Sequence, residues 1–152
     1  MRTRLERRVD VAVPARVLWD YVTDWPRQGE WVPMTRVERV DSADRLGGRL
    51  RAWTGVGRVG FWDPMTITAW ERSADGGGRC EVLHLGRVVR GEGEFSALAR
   101  GEALSTFVWA EMPVVPAGRL GALAFRLVRP VVERVLDGAL QTLRRRLESR
   151  GR

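Results

Sequence analysis

Three side chains, His84, Asp63 and Glu111, are the best candidates in this chain for acid–base chemistry. Each alternates with apolar residues along a predicted strand, so each falls on a face that is otherwise apolar. Histidine titrates near neutral pH and can shuttle protons. A carboxylate that is buried must meet a cation or carry a raised pKa. The structural alternatives are a histidine satisfied within the core and two carboxylates that reach water at strand ends.

Tyr21, the single tyrosine, lies in a predicted short helix beside the expected cavity mouth. Its phenol would serve as a general acid or as a hydrogen-bond donor to a ligand carbonyl. The structural alternative is a core residue whose hydroxyl reaches solvent.

Several reaction types are excluded by missing residues. The chain contains no lysine, which removes Schiff-base catalysis and a P-loop. One cysteine, Cys80, and one histidine cannot assemble the usual zinc sites, so we expect no metal and no cofactor. No Gly-x-Ser-x-Gly motif accompanies the histidine. A Gly-x-Gly-x-x-Gly match at 55–60 is followed by residues that favour a strand, and it predicts a hairpin rather than a nucleotide site.

The formal net charge of +7 does not by itself indicate nucleic-acid binding. All 26 basic residues are arginine, and asparagine is also absent, a bias typical of GC-rich codon usage. No aromatic residues interleave the terminal arginine cluster, and we expect no nucleic-acid partner. Without a signal-peptide core or a run of about 20 apolar residues, the chain is predicted to be cytoplasmic and not inserted in a membrane.

The predicted order of elements is one strand, two short helices, six strands and one long helix. The first strand covers 5–13, the first helix 15–23, and a second helical turn ends near Trp31. The six later strands are predicted near 34–41, 48–56, 59–71, 79–89, 90–98 and 103–112. Hairpin connections make the sheet antiparallel.

The terminal helix is predicted from apolar residues at steps of three and four. These are Leu120, Leu123, Leu127, Val131, Val135, Ala139, Leu143 and Leu147. Such a helix runs roughly 43 Å, so a sheet must curve around it, and a curved sheet tends to leave a hollow. Pro130 is expected to bend the helix so that its first half tilts away from the sheet.

Aromatic residues exceed what a core of this size requires, with seven tryptophans in one chain. Some are therefore expected to contact a ligand in the hollow. The predicted ligand-binding residues are Trp31, Phe61, Trp62, Met65, Phe95, Phe107, Trp109 and Phe125.

The chain resembles the SRPBCC superfamily with the START-like helix-grip fold, in its polyketide cyclase/dehydrase branch. The resemblance rests on VAVPARVLWDYVTDWP at 11–26, Trp31, GRVVRGEGEF at 86–95 and the Arg-Pro pair at 129–130. It implies an α+β fold, in which a curved antiparallel sheet of about seven strands wraps around a long C-terminal helix, with two short helices between the first two strands. It also implies a single ligand-binding domain over 1–152.

Two functions stay open on this basis. The first is binding of a small hydrophobic or amphipathic molecule, lipid- or polyketide-like, in a cavity between the sheet and the C-terminal helix. The second is a cofactor-independent polyketide cyclase, aromatase or dehydratase acting in the same cavity, with His84, Asp63, Glu111, Tyr21 or Arg90 as candidate catalytic residues. An arginine-rich interaction module is a weaker third.

Overall fold

The structure of the protein is a computed structural model that describes residues 3–151. Over these residues seven antiparallel strands form one sheet in the order β1-β7-β6-β5-β4-β3-β2. The strands are β1 Leu5–Val11, β2 Thr35–Asp41, β3 Arg49–Val56, β4 Val59–Arg72, β5 Gly78–Leu85, β6 Arg90–Ala99 and β7 Ser105–Pro113. The helices are α1 Ala15–Val22, a 3-10 helix Trp25–Glu30 and α2 Arg119–Arg150.

This architecture confirms the predicted helix-grip fold, including the two short helices between β1 and β2. The clearest difference in bounds is at β5, which ends at Leu85 rather than at residue 89. Residues 86–89 form the connection to β6 instead. Two adjacent antiparallel strands need connecting residues between them, and the predicted strands at 79–89 and 90–98 left none.

The inner face of the sheet is set by strict alternation within each strand. In β4, Asp63, Met65 and Ile67 are buried. A register shift between Ile67 and Ala69 then changes the alternation, as a bulge does. Trp70 therefore reaches the inner face, where its ring lies 5.2 Å from that of Trp19.

Helix α2 is buried only in its second half. Its buried residues, all of which follow Pro130, are Leu136, Ala139, Leu140, Leu143 and Leu147. This half packs on β1, where Arg7 pairs with Glu133 at 3.0 Å.

The first half of α2 is largely exposed to solvent. Leu120 is 84% exposed and Leu127 is 71% exposed. A helix of 32 residues runs about 48 Å, which is longer than the sheet can cover. Pro130 lies inside one continuous helix. Over residues 3–151, no helix is both long enough and apolar enough to cross a bilayer.

Candidate functional site

A cavity of about 630 Å³ lies between the inner face of the sheet and the middle of α2. This volume falls within the range typical of small-molecule sites, about 300–1,000 Å³. Apolar side chains make up most of its wall: Leu5, Trp25, Val32, Leu50, Ala52, Phe61, Met65, Cys80, Val82, Val88, Val89, Phe95, Trp109, Pro113, Val114, Phe125, Val128, Val132 and Leu136. Val88, Val114 and Val128 are also exposed to solvent, so the cavity opens at this end.

Three titratable side chains meet in this apolar wall. The His84 Nδ1 atom lies 2.7 Å from Asp63 Oδ2, and its Nε2 atom lies 3.2 Å from Glu111 Oε2. The side chains of Asp63 and His84 are only 8% and 9% exposed, whereas that of Glu111 is 23% exposed. Glu111 is therefore the member of the cluster that the cavity reaches most easily.

The sheet order explains how residues from three strands come together. Asp63 and His84 lie on β4 and β5, which are neighbours, but Glu111 lies on β7, beyond β6. Strands two apart are separated by about 9.6 Å, so the two side chains must reach over β6. They meet above Gly93, where an added Cβ would lie 2.9 Å from His84 Nε2 and 3.1 Å from Glu111 Oε2. A side chain at this position would force the pair apart.

Opposing effects act on the pKa of His84. Burial acts to lower this pKa, because the charged ring loses contact with water. The hydrogen bond to Asp63, the close approach of Glu111 and the negative charges of both carboxylates outweigh burial and raise the pKa to about 10. The ring is therefore an imidazolium at neutral pH, held between two carboxylates.

The hydrogen bonds of this cluster are incomplete. Trp109 Nε1 donates to Glu111 Oε1 over 2.7 Å. Among the described residues, Asp63 Oδ1 has no hydrogen-bond partner and His84 Nε2 has no acceptor in line with its N–H, although Glu111 Oε2 lies 3.2 Å away. Buried polar atoms without partners are uncommon in folded proteins and mark a site that other groups can complete.

The other two predicted catalytic residues lie apart from this cluster. Arg90 is an exposed residue of the cavity wall beside Val88 and Val89 at the mouth. Tyr21 does not line the cavity; its hydroxyl donates to Glu30 over 2.7 Å. Burial and this hydrogen bond raise the pKa of Tyr21 to about 12. Tyr21 thus links α1 to the 3-10 helix.

Five of the eight predicted ligand-binding residues line the cavity: Phe61, Met65, Phe95, Trp109 and Phe125. Two others, Trp31 and Phe107, stand behind this wall and are fully buried. The Trp31 ring packs against Phe95, Phe107 and Trp109 at centroid distances of 6.0, 5.8 and 5.7 Å. These two residues support the lining and do not form it.

Trp62 is the clearest misplacement among the sequence candidates. It lies on the outer face of β4, and the Arg51 guanidinium covers its ring at 4.3 Å from the centroid. Adjacent residues of a strand point to opposite faces, so Phe61 and Trp62 cannot both line the cavity. Because Asp63 points to the inner face of the sheet, its neighbour Trp62 must point to the outer face.

The sequence candidates left out two residues near the centre of the wall. Trp25, from the 3-10 helix, both packs on Trp70 and lines the cavity. Val82 shares the inward face of β5 with His84, and that alternation was the signal for it. Cys80 lies on the same face, and burial raises the pKa of its thiol to about 12, so the thiol is not an activated nucleophile.

No group of histidine, cysteine and carboxylate side chains within residues 3–151 has the arrangement of a metal site. In the cluster around His84, both ring nitrogens face carboxylates, and a protonated nitrogen cannot bind a metal. What this arrangement can do chemically is hold a polar group or move a proton inside an apolar cavity.

Solved structures of similar proteins share this fold. The aromatase/cyclase ZhuI from Streptomyces sp. R1128 has a TM-score of 0.78 at 20% identity, covering 100% of this chain and 97% of that chain. A START superfamily protein from Mycobacterium smegmatis has a TM-score of 0.61 at 15% identity, covering 97% and 95%. The di-domain aromatase/cyclase BexL of the BE-7585A biosynthetic pathway has a TM-score of 0.70 at 17% identity, covering 96% and 46%. No curated protein matches the chain.

A protein-family model described as polyketide cyclase/dehydrase and lipid transport matches residues 2–148. This range includes every strand and helix of the fold except the last two residues of α2. It also includes the cavity and the His84 cluster. The chain therefore belongs to the polyketide cyclase/dehydrase and lipid transport family.

Proposed function

We propose that this protein binds a small hydrophobic or amphipathic molecule, polyketide- or lipid-like, in the cavity between the sheet and α2. The observation that carries the proposal is an apolar cavity of about 630 Å³ whose wall holds a single buried cluster of charged side chains. Apolar walls supply most of the binding free energy through burial of the ligand. A few polar groups then fix its orientation.

The other charged residues of the wall, Arg90 and Glu94, add no buried charge that a bound molecule would meet. Arg90 is exposed at the mouth. Glu94 belongs to the wall, but its carboxylate lies near Arg4 and Arg79, at 3.7 and 3.8 Å. The buried charges that a bound molecule would meet are those of the His84 cluster.

Two neighbouring residues of β5 provide a matched test. Val82 lines the cavity, whereas Leu83 points to the opposite face and is 36% exposed. Val82→Phe should fill part of the cavity, and Leu83→Phe should not. Thermal unfolding of both variants checks that each is folded.

The test itself is extraction of the purified proteins with organic solvent, followed by mass spectrometry. An apolar molecule should be recovered from the wild type and from Leu83→Phe and be depleted from Val82→Phe. The same molecule at the same yield from all three proteins would count against binding in this cavity.

Polyketide cyclase or dehydratase activity is a second candidate, favoured by one further observation. The Glu111 carboxylate and the His84 imidazolium lie within 3.2 Å of each other in the wall of one cavity. In loss of water from a β-hydroxyketone, Glu111 would remove the α-proton and His84 would give a proton to the departing hydroxyl. Both roles need groups of opposite acid–base character, which this pair provides.

Mass spectrometry of a β-hydroxyketone chain incubated with the protein tests this activity through the loss of one water. Glu111→Gln and His84→Gln should each lower the rate by about 100-fold or more. Tyr21→Phe, which changes a residue outside the cavity, should leave the rate unchanged. No loss of water above the spontaneous rate would reject the activity and leave the binding proposal standing.

A cytoplasmic location and the absence of a nucleic-acid partner stay proposals that rest on the sequence. The single domain over 1–152 is proposed in the same way.

A further inference from the structure

The hydrogen-bonding capacity of the cavity's polar end is unbalanced. Three donor nitrogens lie within 3.2 Å of the two carboxylates: both ring nitrogens of His84 and the indole nitrogen of Trp109. Two carboxylates offer about eight lone-pair positions, so acceptors outnumber donors. Within residues 3–151, Asp63 Oδ1 has no hydrogen-bond partner, and the one donor without an aligned acceptor, His84 Nε2, already lies 3.2 Å from Glu111 Oε2. The cluster can therefore accept more hydrogen bonds than its own donors supply.

The net charge of the cluster also favours a ligand group that donates hydrogen bonds. Asp63 and Glu111 carry one negative charge each, and His84 carries at most one positive charge. The net charge is thus −1 with an imidazolium and −2 with a neutral ring. Apart from Arg90 at the mouth and Glu94, which lies near Arg4 and Arg79, the remaining polar lining residues are uncharged: Gln28, Thr35 and Thr54. A negative site with surplus acceptors attracts donors and cations and repels anions.

The arginines at the cavity wall do not compensate the negative charge of this cluster. Arg90 is exposed at the mouth, and Arg4 and Arg79 lie near the carboxylate of Glu94 instead. A carboxylate group of a ligand would therefore meet Glu111 in a desolvated place whose one cation, the His84 imidazolium, already lies between two carboxylates. Such an arrangement is costly because a buried charge needs a partner.

We propose that the polar end of the cavity selects ligands whose polar group donates hydrogen bonds, a hydroxyl or most strongly an ammonium, and rejects those that end in a carboxylate. The ligand's donor would contact Glu111, the most exposed member of the cluster. This proposal rests on the proposed function, since it names the ligand class for the same cavity. It distinguishes an amine- or alcohol-bearing apolar molecule from a fatty acid.

The net positive charge of the whole protein acts against the predicted preference for a cationic ligand. A formal charge of +7 attracts anions in general. A measured preference for a cation must therefore come from local groups and not from the protein as a whole.

The test uses three ligands with the same chain: decylammonium, 1-decanol and decanoate, each below its micelle concentration. Each competes with Nile red, a neutral apolar dye, for the wild-type protein near neutral pH. Decylammonium should displace the dye at a concentration at least about tenfold lower than decanoate, with decanol between them. Glu111→Gln should reduce that ratio several-fold. Asp63→Asn, a second variant in the same cluster, should reduce it as well.

Glu92→Gln is the matched control, because Glu92 is exposed on β6 and does not line the cavity. It should leave the ratio unchanged. Equal or tighter binding of decanoate, or a ratio that survives both cluster substitutions in folded protein, would overturn the proposal. Dye that binds but is displaced by none of the three ligands would overturn it too. Failure of Nile red itself to bind would instead reject the proposed function.

Discussion

The protonation of His84 gives the sharpest prediction, because it is the single histidine of the chain. Its ring signals in an NMR spectrum therefore need no assignment. The structure places the ring 2.7 Å from Asp63 and 3.2 Å from Glu111 and raises its pKa to about 10, from an ordinary 6.5. The ring should stay protonated throughout the neutral range and titrate only at alkaline pH.

Asp63→Asn is the perturbation that isolates one partner. It keeps the shape of the side chain but removes its charge, and a hydrogen bond to a charged group contributes about 1.5–3 kcal/mol. Since each pKa unit corresponds to about 1.4 kcal/mol, the pKa of His84 should fall by about one to two units. Asp44→Asn, which changes a side chain that is 72% exposed, should not move it.

The raised pKa of His84 also predicts how the stability of the fold depends on pH. Because the pKa of folded His84 lies above the unfolded value, the native state binds the extra proton between pH 6.5 and about 10. The stabilisation is fully present below pH 6.5 and is lost as pH rises through the folded pKa. In full it amounts to about 3–5 kcal/mol. Cys80 and Tyr21 also have raised pKa values, so urea unfolding of His84→Gln beside the wild type separates the histidine's share.

A wild-type ring that titrates near 6.5 would refute this reasoning, because it would mean that the imidazole is not held between two carboxylates. A pKa unchanged by Asp63→Asn would refute the role of that residue.

Two further predictions concern the glycine beneath the cluster and the two halves of α2. Gly93→Ala should separate His84 from Glu111 and so lower the pKa of the histidine, which NMR can measure. It should also cost about 1–3 kcal/mol of unfolding free energy in a urea titration. An unchanged pKa would speak against the close contact between His84 and Glu111. Phe125→Ala should weaken Nile red binding at a stability cost of about 1 kcal/mol or less, whereas Leu140→Ala should cost about 2–5 kcal/mol with little effect on the dye. The reverse pattern would mean that the first half of the helix is core and not cavity wall.

Strand and helix periodicity were enough to predict the order of the elements, and the resemblance to the SRPBCC superfamily supplied the helix-grip fold. Alternation along each strand and the steps of three and four in α2 are local patterns, and they gave the order of elements and most bounds. They also placed Asp63 and Glu111 on faces whose other members are apolar, with strand ends open to water as the alternative; in the structure both residues belong to the cavity wall.

Local sequence patterns could not predict that Asp63, His84 and Glu111 contact one another. Whether Glu111 reaches His84 depends on the strand order, on β6 lying between them and on Gly93 leaving room. Trp62 shows an error that the alternation itself could have prevented, since Phe61 was placed inside. Trp31 and Phe107 show a different limit, because a second layer of aromatic residues has the same strand pattern as the layer that lines the cavity.

Nile red titration of the wild type, Val82→Phe and Leu83→Phe tests the central claim most directly, that the space between the sheet and α2 admits an apolar molecule. The wild type and Leu83→Phe should bind one dye per chain with the same affinity, and Val82→Phe, while folded, should bind at least about tenfold more weakly. Equal binding by all three proteins, or no binding by the wild type, would contradict the account.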